Sequence, residues 1–170
     1  MKGIAWFLTA LWVALFIFLA LFGIVRGYFF SRDCGSYLKL AADAPTVERA
    51  SGFMETAIAY LVATGRTQGN SAVIFKTPKN DVGIWYQQTR AALETTRAII
   101  QKGAGASQLE RDNALMKIRE TLLDMGESGT QLTLPSHISI VPYQVLIVIL
   151  WWMLLPLGGA ALFFLWKAYD

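Results

Sequence analysis

Uncharged, strongly apolar residues are concentrated at the two ends of this 170-residue chain. Residues 4–25 and 145–166 each form a run of 22 positions without a charged side chain. At about 1.5 Å per residue, such a run covers the roughly 30 Å of a bilayer's hydrocarbon core. Both runs are therefore predicted to be transmembrane helices in a lipid bilayer. Short tails remain at 1–3 and 167–170, and an extramembrane domain is left at 26–144.

Each predicted span has a rival interpretation. A cleavable signal peptide has an apolar core of only about 7 to 15 residues and ends in small residues. The first run is longer, and we find no convincing cleavage site after it. The second run resembles a buried helix of a soluble domain, but such helices seldom continue for about 18 residues without a charge. We therefore expect both runs to be retained as membrane anchors.

Between the two runs, apolar residues recur every three or four positions, which is typical of amphipathic helices. A short helix is predicted over residues 33–42, and Pro45 ends it because proline disfavours helical backbone in the residue before it. A longer helix is predicted to start at Thr46 and to stop near Gly65. Its apolar stripe comprises Val47, Ala50, Met54, Ala57 and Leu61.

Two more helices are predicted further along the chain. Asn80 or Asp81 can cap the first of them. Its stripe comprises Val82, Trp85, Thr89, Ala92 or Leu93, Thr96, and Ile99 or Ile100. Ser107 and Glu110 form an S-x-x-E capping box that opens the next helix. The buried face of this helix comprises Leu115, Ile118, Leu122 and Met125, and Gly126 is predicted to end it.

The predicted fold class is a mainly α membrane protein, in which two transmembrane helices flank a small helical-bundle domain. Residues 132–140 alternate between apolar and polar side chains. This segment either pairs with the apolar stretch 72–75 as a minor strand pair or runs extended across the bundle. The predicted core comprises Met54, Leu61, Trp85, Leu93, Ile118 and Leu122.

The charges and the chemically reactive residues exclude several classes of function but do not identify one. The net charge is +3, from 15 basic and 12 acidic residues, and the basic residues are too scattered for a nucleic-acid surface. A single cysteine, Cys34, rules out an intrachain disulfide framework and cannot alone form a structural zinc site. The sequence contains no recognised catalytic motif, and its mixed charges on one helix are typical of a solvated face. We therefore predict no catalytic residue, metal or cofactor.

Four residues of the domain have two interpretations each. Trp85 and Tyr86 lie beside amides that can line a ligand pocket, although Trp85 also falls on an apolar stripe that packs into the core. His137 is either a pH-responsive group or an ordinary polar residue near the membrane. Cys34 is either a site of lipidation or partner disulfide formation, or a small packing residue, which we favour.

The second apolar run carries a candidate helix-helix interface. Pro156 can kink this helix, and the small residues Gly158, Gly159 and Ala160 form a smooth patch where another helix can approach closely. Trp151 and Trp152 lie near its middle, where indole N–H groups favour a protein partner over lipid. The alternative is that all these residues simply face lipid.

The layout resembles the input half of bacterial membrane sensors, although only four residues follow the second run. We predict a non-enzymatic membrane protein whose domain binds a protein or small ligand and works through a membrane-protein partner or a second copy of the chain. A structural accessory subunit of a larger complex is the alternative. A small membrane enzyme is a third hypothesis, which the missing catalytic constellation disfavours.

Two criteria, the charges that flank the spans and the length of the segment between them, predict opposite orientations of the chain in the membrane. Arg26, Arg32 and Lys39 flank the spans on the domain side, against Lys2 and Lys167 on the terminal side, which favours a cytoplasmic domain. Segments longer than about 60 residues, however, are translocated largely regardless of charge. We therefore predict a bacterial inner membrane protein with residues 26–144 outside the cytoplasm.

Overall fold

The computed structural model describes residues 2–126 and 129–169, which are mainly helical and include one two-stranded hairpin. The helices are α1 (Lys2–Phe30), α2 (Ser36–Ala42), α3 (Val47–Ala63), α4 (Val82–Lys102), α5 (Gln108–Leu122) and α6 (Gln144–Tyr169). The strands are β1 (Leu123–Gly126) and β2 (Gly129–Leu132). Short 3-10 turns lie at Pro78–Asn80, Gly103–Gly105 and Ile138–Ile140.

The first apolar helix continues without a break into the domain. A π-helical turn, Ser31–Gly35, joins α1 directly to α2, so the backbone is helical from Lys2 to Ala42. The predicted helix over 33–42 is helical and ends at Ala42 as expected, but it is the last part of this continuous helix, so its predicted start is wrong. The physical reason is that no proline or turn-forming dipeptide interrupts this stretch, so continuing the helix satisfies backbone groups that an end would expose.

The π-helical turn is closed by one residue at its end. Ser36 donates its backbone N–H to the carbonyl oxygen of Ser31, five residues earlier, and its hydroxyl donates to the same oxygen at 2.8 Å. From Phe30 onward the helix packs against the bundle rather than α6. Its buried residues are Phe30, Cys34, Leu38, Ala41 and Ala42.

The helical bundle agrees with the predicted stripes. Thr46 caps α3, Asp81 caps α4 through Oδ1 to the N–H of Ile84 at 2.9 Å, and Ser107 with Glu110 forms the predicted capping box on α5. The whole predicted stripe of α3 is buried. The predicted core is confirmed, because Met54, Leu61, Trp85, Leu93, Ile118 and Leu122 are all buried in one cluster.

The strand pair forms, but from other residues than predicted. Helix α5 ends at Leu122, and Leu123 pairs with Leu132 in the antiparallel hairpin of β1 and β2. The expected helix end at Gly126 is therefore wrong, and the side chain of Met125 lies outside the described residues. The expected pairing of 72–75 with 132–140 is also wrong, because the strand partner of Leu132 is Leu123.

Helices α1 and α6 pack against each other in antiparallel fashion. Phe16 meets Trp151 edge to face, with ring centroids 5.6 Å apart, and Phe22 meets Tyr143 at 6.1 Å. Helix α6 and the long helix that begins with α1 are each long and apolar enough to cross a membrane.

Candidate functional sites

The connection from the hairpin back to α6 is irregular and is fixed by two arginine side chains. Arg66, just beyond α3, donates from Nε to the carbonyl oxygen of Ile138 at 3.1 Å and from Nη2 to that of Ser139 at 2.7 Å. Arg26, near the end of α1, donates from Nε to Ser139 at 3.3 Å and from Nη2 to Val141 at 3.0 Å. Both guanidinium groups therefore converge on the segment that leads into α6.

Arg66 is buried to an unusual degree for a charged residue, with 1% of its surface exposed. Its guanidinium carbon lies 5.6 Å from the ring centre of Phe30 and 5.5 Å from that of Tyr60. Its Nη1 is buried and has no hydrogen-bond partner among the described residues. Burial lowers the pKa of Arg66, the interaction with Tyr60 raises it, and the neighbouring charge of Arg26 lowers it.

Arg26 lies immediately after the uncharged run of α1 and contacts the start of α6. Its guanidinium carbon is 4.8 Å from the ring centre of Tyr143, the residue before α6, and 5.8 Å from that of Phe22. Cation-π contacts of this kind stabilise a charge that is partly removed from water. Arg26 thus ties together the adjoining ends of the two apolar helices.

A cleft of about 270 Å³ opens beside the two arginines and is lined by Arg26, Phe29, Asp33, Tyr60, Thr64 and Arg66. Asp33 is bound by the exposed Arg32, whose Nε and Nη2 lie 2.6 and 2.9 Å from the two carboxylate oxygens. This contact lowers the pKa of Asp33. The acid in the cleft therefore stays ionised and is paired with a third arginine.

The structure separates the three predicted ligand-surface residues. Trp85 is buried, and its indole N–H donates to the carbonyl oxygen of Thr133 at 2.7 Å. Tyr86 is half-buried and lines a different depression, between α3 and α4. His137 is exposed and adopts a left-handed backbone conformation with φ of 59°. The clefts beside Trp85 and Tyr86 have different lining residues, and His137 lines neither of them.

A larger cleft, of about 510 Å³, lies beside Trp85 between α4 and the segment that follows β2. Its polar lining includes Lys79, Gln88, Gln131, Thr133 and Ser136. The volume falls within the roughly 300 to 1,000 Å³ of typical small-molecule sites. This cleft can accommodate a small polar ligand, as can a larger one of about 730 Å³ lined by Lys39, Asp43, Arg119, Glu120, Leu123, Asp124 and Thr130.

Cys34 lies inside the bundle, in the π-helical turn. It has no exposed surface, and its Sγ is 4.0 Å from the carbonyl oxygen of Ala57. Burial raises the pKa of the thiol to about 12, and the positive charge of Arg66 acts in the opposite direction. A buried neutral thiol is inert, which favours the packing interpretation over lipidation or a partner disulfide.

The small-residue patch of α6 is divided between two faces of the helix. Gly158 faces α1, and a Cβ atom added there would lie 2.8 Å from Nε1 of Trp12. That same Nε1 donates to the carbonyl oxygen of Leu154 at 3.0 Å. Gly159 points away, with open space around an added Cβ, while Ala160 is half-buried and Pro156 is exposed. Gly158 therefore serves the contact inside this chain.

The outward face of α6 carries a regular stripe around Gly159. Trp152, Leu155, Leu162 and Trp166 are all exposed, and with Gly159 they are spaced alternately three and four residues apart. This spacing places them along one seam of the helix. Trp151, in contrast, packs on Phe16 of α1, so the two adjacent tryptophans have different surroundings.

Sequence reasoning did not identify the arginine pair as a site. In the sequence, Arg26 marks the end of an apolar run and a charge flanking the span, and Arg66 follows the predicted helix end near Gly65. Their acceptors, the carbonyl oxygens of residues 138–141, lie more than 70 positions away and are backbone groups with no side-chain signature. No local pattern connects such partners.

Comparisons of the chain with protein-family models, with curated proteins and with solved structures found no match.

Proposed function

We propose that this chain is a non-enzymatic integral membrane protein whose helical domain binds a protein or small ligand and acts through a partner in the membrane. The observation that carries the proposal is the unbroken helix from Lys2 to Ala42. Its first part is apolar enough to span a bilayer, and its last part, with Leu38 and Ala41, lies in the bundle core. A shift of the core is thereby coupled mechanically to the membrane segment.

The binding half of the proposal rests on the Trp85 cleft. Its volume and polar lining suit a small ligand. Its wall includes Thr133, whose carbonyl accepts from Trp85, and this segment leads on to Arg66 and Arg26 through residues 138–141. Occupancy of the cleft therefore acts next to the contacts that hold α6 to the domain.

The partner half rests on the outward stripe of α6. Without a hydrophobic drive between helices in lipid, association depends on close packing, which Gly159 permits between larger neighbours. The partner is a second copy of the chain or another membrane protein. The alternative proposal, a structural accessory subunit, is favoured by the same stripe if its partner is permanent and independent of any ligand.

The experiment compares two glycine substitutions in the full-length chain purified in mild detergent. Gly159→Leu should abolish the specific oligomer or partner complex. The leucine side chain fills the space that Gly159 leaves between its larger neighbours, yet it remains favourable in hydrocarbon. Gly23→Leu on α1 is the matched control, since an added Cβ there also meets open space. Equal recovery of the complex with both variants would remove the support for a partner at this stripe.

We further propose that the chain lies in a bacterial inner membrane with residues 26–144 outside the cytoplasm, which the length of the domain supports. Lys76 and Lys167 are both exposed, so Lys76→Cys and Lys167→Cys give a matched pair for labelling with a membrane-impermeant maleimide. Buried Cys34 is a silent background. Intact cells should expose position 76 and protect position 167, and the reverse pattern would contradict the orientation.

A further inference from the structure

Arg26 and Arg66, which hold the segment leading into α6, carry positive charge that the surrounding residues do not neutralise. Both donate to the carbonyl oxygen of Ser139, so their guanidinium groups lie side by side. Neither forms an ion pair with a carboxylate among residues 2–126 and 129–169. Carbonyl oxygens accept from the Nε and Nη2 groups of both arginines but supply only partial charge. Two adjacent cations with reduced access to water therefore favour an anion.

The cleft beside them has the features of an anion site. Its acid, Asp33, is already occupied by Arg32 and so leaves the charge of Arg26 and Arg66 uncompensated. Arg66 retains a buried Nη1 without a hydrogen-bond partner among the described residues, and Tyr60 also lines the cleft, whereas the Thr64 hydroxyl already donates to the carbonyl oxygen of Tyr60 at 2.7 Å. The volume of about 270 Å³ suits a compact group rather than a drug-sized ligand.

We propose that this cleft binds a phosphate-type oxyanion, supplied by the headgroup of an anionic phospholipid. Guanidinium groups match phosphate oxygens in charge and in hydrogen-bond geometry. The assignment to a lipid rests on the proposed function, in which α1 spans the bilayer. Arg26 follows the uncharged run directly and Phe29 lines the cleft, so the headgroup lies at the membrane surface while its acyl chains lie along α1.

The bound headgroup has a structural role where the segment 138–141 leads into α6. It reduces the repulsion between the two adjacent guanidinium groups, and it thereby stabilises the arrangement in which both donate to the carbonyl oxygens of Ile138, Ser139 and Val141. The lipid composition of the membrane then modulates the connection between β2 and α6, on which the proposed ligand of the Trp85 cleft also acts.

The test measures lipid retention by the full-length, delipidated chain with native mass spectrometry. Phosphatidylglycerol is compared with diacylglycerol of identical acyl chains, which lacks the phosphate, and inorganic phosphate is added as a competitor. We expect one phosphatidylglycerol to be retained with clear preference over diacylglycerol. Arg26→Gln should weaken its affinity about tenfold, as expected for loss of a charge-assisted contact.

A second variant keeps the test decisive if the loss of Arg26 disturbs folding. Asp33→Asn removes the only acid among the cleft's lining residues and releases Arg32, so it should increase phosphatidylglycerol affinity severalfold. Arg49→Gln is the control, since Arg49 is exposed at the start of α3, far along the helix from Thr64. Displacement of the lipid by millimolar inorganic phosphate would support the oxyanion site and assign its ligand to solution.

Equal retention of phosphatidylglycerol and diacylglycerol would overturn the proposal, as would affinities that are unchanged in both Arg26→Gln and Asp33→Asn. This failure is distinguishable from failure of the proposed function. The maleimide labelling of positions 76 and 167 reports whether the chain spans the membrane, whatever binds the cleft. A chain that does not span, yet binds inorganic phosphate through Arg26, would retain the site and lose the membrane assignment.

Discussion

The chain passes between its apolar helices and its domain twice, and the two connections are built in different ways. The first, from α1 to α2, is continuous helix whose hydrogen bonds join residues four or five positions apart. The second, from β2 to α6, contains a 3-10 turn and a residue at positive φ, and side chains from distant parts of the chain hold it. One connection is stabilised locally and the other by tertiary contacts.

This difference determines which substitutions each connection tolerates. A helix whose backbone bonds are internal depends on the apolar residues that dock it against the bundle, because no single polar side chain fixes its path. The irregular segment has backbone carbonyls that no regular structure satisfies, so it depends on the donors that reach them. We therefore expect the first connection to fail through lost packing and the second through lost hydrogen bonds.

The largest expected effect is at the first connection. Leu38→Ala should lower the free energy of unfolding by about 2 to 5 kcal/mol, because Leu38 is fully buried and its loss leaves a cavity. Leu40→Ala is the matched control on the same helix, since Leu40 is 48% exposed, and it should cost less than about 0.5 kcal/mol. Chemical unfolding of the full chain in detergent micelles measures both, and similar losses would refute docking through Leu38.

The second connection should respond most to Arg66. Arg66→Met removes two charge-assisted hydrogen bonds and leaves the carbonyl oxygens of Ile138 and Ser139 without these donors, at a cost of about 2 to 3 kcal/mol. Limited proteolysis should show faster cleavage near residues 138–141 than in α2. The exposed residue Arg49 provides the control Arg49→Met. Unchanged stability would mean that an apolar side chain of similar length fills the site equally well.

The sequence predicts the features that depend on nearby residues and does not predict those that depend on distant contacts. Helix caps such as Thr46 and Ser107, and the stripe from Val47 to Leu61, were predictable because they depend on residues a few positions apart. The hairpin was missed because Met125 also fits the apolar spacing of α5. Propensity alone could not show that the chain leaves the helix at Leu122 to pair with β2.

The candidate sites were harder to predict than the fold. Trp85 was correctly placed on a buried stripe, but its hydrogen bond to Thr133 depends on a tertiary contact 48 residues away. Gly158 and Gly159 look equivalent in sequence, and only the position of Trp12 on another helix distinguishes them. The arginine pair had no local pattern at all, since its acceptors are backbone oxygens.

A smaller effect is expected where the second connection begins. Trp85→Phe keeps the aromatic ring in the core but removes the indole N–H that donates to Thr133, so it should cost about 1 kcal/mol. Tyr86→Phe on the adjacent, half-buried position is the control and should be nearly neutral. If Trp85→Phe were as stable as the wild type, the segment after β2 would be held by Arg66 and Arg26 alone.

The smallest effect expected at neutral pH returns to the first connection and concerns its buried thiol, whose contribution changes only at alkaline pH. Burial raises the pKa of Cys34 from 9.0 to about 12, so the folded state resists an ionisation that the unfolded chain undergoes freely. A group with a raised folded pKa stabilises the protein below its unfolded pKa, and that contribution is lost as pH rises through the folded pKa. Wild type should therefore lose stability relative to Cys34→Ala between about pH 9 and 12.

Only the difference between the two unfolding curves is informative, because lysine and tyrosine residues titrate in both proteins. A difference that is constant over this range would show that the π-helical turn opens readily enough to hydrate the thiol.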